Sequence, residues 1–438
     1  MTIKSILKEL VGVNNIKIKS YSFHTNPNNI KELHIDIESY KKEHHRCPLC
    51  DKHLPQYDKI TSRRKWRCLN FGNIPVYVFA DTYRVSCPEH GVIVEKVPWA
   101  RHRSPFSRDF ENQVSWLSFN MSKKALSEYM CVAWSTVGKI ITRTLDEVAP
   151  NYEDRFDNLI NIGIDETSYR KGHNYITTVV NNDDSTVIWA GTGHCIATLT
   201  KFFELLTPEQ RASIKTVSGD GARWIKACMD KYVPDAQRCI DPFHTISWAQ
   251  VALDEVRKDA SNRARVILEQ RAGKPKKRGR GRPKKGDEVP IDESKIIKNS
   301  KFALCKNPEN LTLNQREKLE MIRLKDNQLY RAYMLKEKLR LIFKLDNIEE
   351  VKDELDAWLS WARRCRIESF ISLSRKIKRH YEAIIATRTY KISNAKTEAL
   401  NNKIKLCTRR AYGFRNINNL IDTVLLVCSK IKIPLTNR

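Results

Sequence analysis

The sequence predicts a multidomain α/β protein: a mixed sheet flanked by helices, with a helical insertion, preceded by a small zinc-binding unit and a helix-turn-helix. Three observations carry that prediction. Residues 158–257 alternate short β-rich runs with helical ones, the pattern of a sheet covered by helices. Residues 1–100 hold most of the paired Cys and His. Residues 104–149 carry few Gly or Pro and repeat apolar residues at a helical period.

Bulk properties narrow the function. A chain of 438 residues holds two to four domains at roughly 100–200 residues each. Hydrophobic residues make up 41%, enough for packed cores rather than disorder. Lys plus Arg number 78 against 51 Asp plus Glu, so the formal charge is +27. That excess points to a polyanion, nucleic acid first and an anionic membrane surface second. No apolar run approaches the roughly 18 residues of a membrane span, Thr423–Cys428 being among the longest. The segment MTIKSILKELVGVNN lacks a signal-peptide core, so the expectation is a soluble, intracellular protein with no membrane partner. The 12 scattered Cys argue for reduced thiols and a metal site over a disulfide framework.

The zones then follow in order. Residues 1–100 read as a loop-rich zinc-binding domain with short strand-like runs. Cys47-Pro-Leu-Cys50 and Cys87-Pro-Glu-His90 are two tight chelating turns that together complete a tetrahedral Cys3His site for Zn²⁺. Such a site would staple a zone that cannot build its own core. The alternative is buried cysteines with an incidental His, and Cys68 or His53 could replace one ligand. The run Arg63–Arg67 between the knuckles either touches phosphate or forms a solvated hairpin face.

Residues 101–150 read as a DNA-binding region. A helix over 122–130 buries Ala125, Leu126 and Met130, Cys131–Ala133 make a turn, and a second helix repeats Val137, Ile140, Ile141 and Leu145. Ser135, Thr136, Lys139 and Arg143 then occupy the polar face of a recognition helix. An ordinary helical hairpin is the plainer reading.

Residues 151–257 form the first part of the sheet domain. In Leu159–Asp165 the isoleucines 160, 162 and 164 share one face. Asp165 takes the opposite parity, and Glu166 that of the isoleucines. Asp220 ends a second strand inside Gly219-Asp220-Gly221-Ala222, and Asp241 ends a third ahead of His244. Carboxylates at strand ends can hold hard cations, and two Mg²⁺ there can activate a water or a 3′-OH for phosphoryl transfer. Each Asp taken alone reads more readily as a helix or turn cap.

Residues 258–392 read as long charged helices with a disordered basic segment at 271–290. Within it, Arg280-Gly281-Arg282-Pro283 is similar to an AT-hook that lays Arg into a narrow minor groove, the alternative being a non-specific phosphate-binding loop. Residues 393–438 form a last segment that opens with a capped helix. Ser393 and Asn394 are helix N-cap residues, so Glu398 falls in or near a first turn. Leu400, Ile404 and Cys407 form an apolar stripe, while Asn401, Asn402 and Lys405 share the face of Glu398.

Those stretches resemble one family in combination. C-P-L-C (47–50), R-V-S-C-P-E-H-G (84–91), V-P-W-A (97–100), G-I-D-E-T-S-Y-R-K-G-H-N-Y (163–175), D-P-F-H (241–244), S-N-A-K-T-E-A-L-N-N-K-I-K (393–405) and A-Y-G-F-R-N (411–416) occur in that order. Together they are similar to the DDE-type insertion-sequence transposases of the ISL3 family, from about Cys47 to Asn416. The resemblance implies an RNase H-like catalytic fold interrupted by a helical insertion. It implies Asp165, Asp220 and Glu398 as catalytic ligands of Mg²⁺ or Mn²⁺, Cys47, Cys50, Cys87 and His90 as ligands of Zn²⁺, and Asp241 and His244 as accessory residues. Ser135, Thr136, Lys139, Arg143, Arg280, Arg282 and Lys405 would contact DNA. The activity implied is binding of terminal inverted repeats, cleavage of the element's ends and joining of the 3′-OH ends to target DNA. A homodimer or larger assembly in the bacterial cytoplasm, at the nucleoid, would do this. Two departures stand out: Gly219-Asp220-Gly221-Ala222 where many relatives read D-M-S, and Glu398-Ala399 where many read E-G. Two other classes remain: a catalytically silent zinc-finger and helix-turn-helix DNA-binding protein, and an RNase H-like structure-selective nuclease.

Overall fold

A computed structural model describes residues 2–12, 15–149, 152–272, 293–390, 392 and 395–435. Helix α1 (Ile3–Val11) is capped by the Thr2 hydroxyl and stopped by Gly12 at φ 70°. Strands β1 (Ile16–Thr25) and β2 (Lys31–Ser39) then form an antiparallel hairpin. The chain continues through β3 (Gln56–Lys59), β4 (Arg64–Arg67), β5 (Val76–Ala80), β6 (Tyr83–Cys87) and β7 (Gly91–Val94). These make two sheets, of order β1-β2-β5-β4 and β3-β6-β7. The four-stranded sheet has a core of its own: Leu7, Ile16, Ile35, Ile37, Val78 and Trp66, the last packed edge-on to Trp99. This corrects the expectation of a loop-rich zone unable to build a core. β1 hid itself because nearly all of it is exposed on both sides, so it shows no buried face.

Helices α2 (Arg108–Leu117), α3 (Lys123–Met130) and α4 (Trp134–Val148) follow. Ser107 and Ser122 cap α2 and α3 by accepting from backbone N–H groups three residues on. Cys131 takes φ 47°, the left-handed residue that ends α3 and turns the chain into α4.

The central sheet comprises β8 (Asn161–Arg170), β9 (Asn174–Asn181), β10 (Thr186–Thr192), β11 (Thr216–Gly219) and β12 (Gln237–Ile240) in the order β10-β9-β8-β11-β12. The first three pair antiparallel, and β11 lies parallel to both β8 and β12. The crossovers run through α5 (Ile196–Leu205) with α6 (Pro208–Ser213), and through α7 (Arg223–Tyr232). This is the RNase H-like mixed sheet. One face packs Ile162, Ile164, Val179 and Val217 against Leu199, Phe202, Phe203 and Ile225 of the covering helices.

A 31-residue helix, α8 (Pro242–Ala272), leaves the edge of the sheet. The helical insertion follows: α9 (Glu293–Lys298), α10 (Lys301–Cys305), α11 (Leu313–Lys325), α12 (Asn327–Ile342), α13 (Ile348–Arg364), α14 (Glu368–Arg379) and α15 (Tyr381–Thr389). It has its own core, in which Leu335, Leu339, Trp358, Phe370 and Ile377 meet. The Thr387 hydroxyl donates to the Ile240 carbonyl at 2.9 Å and ties α15 back to the sheet edge. Helices α16 (Ala395–Arg410) and α17 (Ile417–Cys428) then cover the second face. There Leu400, Ile404, Leu420 and Val424 pack with Ile176, Val180 and Val187 of the sheet and with Leu126, Val137 and Ile141 of the helix-turn-helix. Arg280, Arg282, Ser393 and Asn394 lie outside the described residues.

Candidate functional site

Strand β8 sets the site by parity. Ile162 and Ile164 point under α5 and α7, so Asp165 points to the other face, where α16 lies. The Asp165 Oδ2 accepts a hydrogen bond from the Asn401 amide of α16, and its Oδ1 accepts from the Glu166 N–H at 2.7 Å. The Asn401 Oδ1 in turn accepts from the Thr167 hydroxyl at 3.1 Å. Gly163 lets the helix come this close: a Cβ there would lie 2.8 Å from the Asn182 Oδ1 and 3.0 Å from the Thr397 hydroxyl. Those two groups bond each other at 3.3 Å. Glu398 therefore sits in the first turn of α16, exposed, three residues before the partner of Asp165.

Asp220 follows the last residue of β11, and its Oδ1 accepts from the Ala222 N–H at 2.8 Å. Gly219 is required by β8, because a Cβ there would lie 2.9 Å from the Ile164 carbonyl oxygen. The carboxylates feel one another. Burial, then the charges of Asp220 and Asp165, push Glu166 up to about 7. Burial is also the first cause that raises Asp165, with Asp220 adding to it; the Glu166 N–H, the Asn401 amide and the His244 imidazole oppose it. Crowded oxygens whose ionisation is penalised form a donor set that a hard divalent cation suits. They do not converge within 4.8 Å as a trio; among the described residues only the N-terminal cluster does. Asp241 caps α8, accepting from the Phe243 N–H at 2.6 Å. Sequence reasoning placed Asn401 on the face of Glu398 but missed its bond to Asp165; the shared face was the available signal.

The N-terminal cluster brings Cys47, Cys50, Cys87 and His90 together, every ligand atom within 4.8 Å of the others. The distances test the fit. Zn–S near ~2.3 Å and Zn–N near ~2.0–2.1 Å imply tetrahedral edges of about 3.8 Å between sulfurs and about 3.5 Å from sulfur to nitrogen. Cys50 Sγ lies 3.8 Å from Cys87 Sγ, and His90 Nδ1 lies 3.6 Å from Cys47 Sγ and 3.4 Å from Cys87 Sγ. Four donors at those spacings fit one Zn²⁺. Cys68 is not among them: it is buried in the four-stranded sheet's core, where burial pushes its thiol up to about 12. His53 is exposed and outside the cluster.

On α4, Ser135 and Lys139 are exposed and Thr136 is half-buried. Arg143 differs. Its guanidinium donates to Glu111, which is fully buried and also meets Arg101 and the Ser104 hydroxyl. That turns Arg143 inward, away from the face it shares by periodicity with Lys139. The Arg63–Arg67 run is likewise engaged: Arg63 pairs with Asp36, Lys65 lies 3.6 Å from the Tyr77 ring centroid, and Arg67 donates to the Cys131 carbonyl at 2.9 Å. Lys405 is exposed on α16.

Comparison with known proteins gives the family. The ISL3 family model described as "Transposase" matches residues 162–424. Two more match: the helix-turn-helix domain of transposase family ISL3 at 95–145, and the zinc-finger of transposase IS204/IS1001/IS1096/IS1165 at 43–90. The transposase for insertion sequence element IS1557 of Mycobacterium tuberculosis is 43% identical over 395 residues, covering 90% of this chain and 88% of that protein. The transposase for insertion sequence element IS1001 of Bordetella parapertussis is 24% identical over 375 residues, covering 84% of this chain and 85% of that protein. No helix among the described residues is long and apolar enough to cross a membrane.

Proposed function

The chain belongs to the ISL3 family of insertion-sequence transposases, and from that premise we propose that it cuts the ends of its own element and joins the freed 3′-OH ends to target DNA. The hydrogen bond between Asn401 and Asp165 carries the reading, because it seats α16, with Glu398, against the strand that bears the first carboxylate. Asp165, Asp220 and Glu398 would hold Mg²⁺ or Mn²⁺, with Asp241 and His244 in support. A cation held there would supply the chemistry that lowers the pKa of a water or 3′-OH and stabilises a leaving oxygen. Asp165 is kept in place by Asn401 and by the Glu166 N–H, and Asp220 by the turn into α7.

Recognition precedes cleavage. The zinc-binding residues 1–100 and the helix-turn-helix at 101–150 read the terminal inverted repeats through Ser135, Thr136 and Lys139. Lys405, and Arg280 and Arg282 of the basic segment, contact phosphate or the minor groove. Two ends must be held together, so the working form is a dimer or larger, acting on DNA in the bacterial cytoplasm.

Glu398→Gln tests the assignment. It keeps shape and should abolish nicking and strand transfer with Mg²⁺ while DNA binding and melting temperature persist. Glu382→Gln, on α15, should leave activity within a few-fold. Nicking by Glu398→Gln near the wild-type rate would remove Glu398 from the triad. A wild-type protein that binds its ends but never nicks them would point to the silent DNA-binding alternative.

A further inference from the structure

The loop that carries Asp220 is enclosed by side chains the carboxylate chemistry does not use. Gly221 is one reason the loop can sit where it does. A Cβ there would lie 2.7 Å from Cζ2 of Trp248 on α8 and 3.5 Å from Nε2 of His380, which ends α14. Trp248 and His380 stack at an angle, with ring centroids 5.7 Å apart. The Lys376 ammonium lies 3.8 Å from the centroid of the same Trp248 ring. Lys376 and His380 are one turn apart on α14, so both project to this side, with exposed Arg379 beside them.

Beneath the loop lies Arg238 of β12, 7% exposed. Its Nη2 donates to the carbonyls of Asp220 and Ala222. Its Nη1 is buried with no hydrogen-bond partner among the described residues. Lys376, Arg379 and Arg238 form no ion pair within 4 Å among the described residues, although acids are plentiful on the surrounding helices. Three cations and an imidazole thus collect beside a carboxylate, from two elements distant in sequence. Such concentrated positive charge, offset only in part by Asp220 and Asp230, calls for an anion.

We propose that Lys376, Arg379 and His380 of the insertion, backed by Arg238 and oriented by Trp248, form a subsite for a DNA phosphate flanking the one that is cut. The inference rests on the strand-cleavage reading of the adjacent carboxylates. Divalent ions on Asp165 and Asp220 would face the scissile phosphate, and the next phosphate along the strand would reach the α14 cations. The insertion then positions the strand rather than merely decorating the sheet domain.

The test is the salt dependence of binding by the full chain to a duplex ending at the element's terminal repeat, in Ca²⁺ so that no cutting occurs. Each phosphate contact contributes roughly one unit of slope in log K against log salt. Lys376→Met keeps the stem over Trp248, and its slope should fall by about 1, whereas Lys376→Arg should restore it. Arg379→Gln, at an exposed position that packing does not need, should lower the slope in the same way. Wild-type slopes in both Lys376→Met and Arg379→Gln would overturn the subsite. Nicking of the same duplex in Mg²⁺ is scored separately. If wild-type protein never nicks while Lys376→Met still flattens the slope, the cleavage reading falls and the phosphate subsite stands.

Discussion

Lys123 opens the first turn of α3 yet is only 6% exposed. Its ammonium lies 4.6 Å from the Trp134 ring centroid and 4.9 Å from that of Phe414, so it joins the helix-turn-helix to the loop after α16. The rings offset part of the cost of burying the charge. Burial lowers its pKa from 10.5 to about 8. The sign follows. Below about pH 8 the lysine is charged in both states, and the folded state bears the desolvation cost. Between about 8 and 10.5 the folded protein has released its proton and the unfolded chain has not, so this group adds stability as pH rises. Lys123→Met should therefore stabilise the protein at pH 7, on the order of 1 kcal/mol, and its advantage in urea denaturation should shrink between pH 8 and 9.5. An advantage that stays constant with pH would mean the ammonium is solvated. At this scale strand parity was readable: the isoleucines of β8 fixed which way Asp165 points. The Asn401 bond was not, because 236 residues separate the pair and no local rule spans that distance.

Two cations on one helix show what periodicity can and cannot tell. Lys139 and Arg143 lie four residues apart on α4 and share a polar face by spacing alone. The structure spends Arg143 on buried Glu111 and leaves Lys139 exposed. Lys139→Gln should weaken binding to a terminal-repeat duplex more than to an unrelated duplex, and leave melting unchanged. Arg143→Gln should cost about 1–3 kcal/mol of stability, because a buried carboxylate loses one of its charged donors. Equal melting temperatures for the two variants would contradict the inward pairing. The same lesson holds for the N-terminal unit. The Cys and His pairs gave the zinc cluster away, since chelation needs close spacing in sequence. The four-stranded sheet beside it was hidden by the solvated β1 and by the parallel pairing of β2 with β5 across an intervening stretch. Because that sheet has a separate core, Cys87→Ser should lose about one Zn²⁺ per chain and amide protection in β3, β6 and β7 only. Protection lost equally from β2 and β5 would show that the metal, not Trp66 and its neighbours, holds the whole unit.

At the scale of the molecule, the helix-turn-helix and the central sheet are packed together. The sequence's composition shifts suggested consecutive domains. In space, α2–α4, α16, α17 and the outer face of the sheet share one core. A Cβ at Gly138 of α4 would collide with the Asn419 amide of α17, so those helices touch backbone to side chain. The Asn112 amide donates to the Pro434 carbonyl at 2.8 Å, and the Ser429 hydroxyl to the Val187 carbonyl at 2.6 Å. Sequence patterns reveal that a face is apolar but not which distant face it meets, so this union was not legible in advance. It has a consequence for unfolding. Separating α2–α4 from the rest would expose Val114, Leu126, Val137 and Ile141, at roughly 1.5–3 kcal/mol for each fully buried side chain. That sum rivals the whole stability of an ordinary domain, about 5–15 kcal/mol. The helix-turn-helix should then have no independent folded state. Hydrogen exchange in increasing urea should release α4, α17 and β9 at one concentration, while the insertion helices α12–α14, which have their own core, follow a separate transition. Exchange of α4 well before β9 would show a recognition unit that opens by itself, and would reduce the shared core to a contact between independent domains.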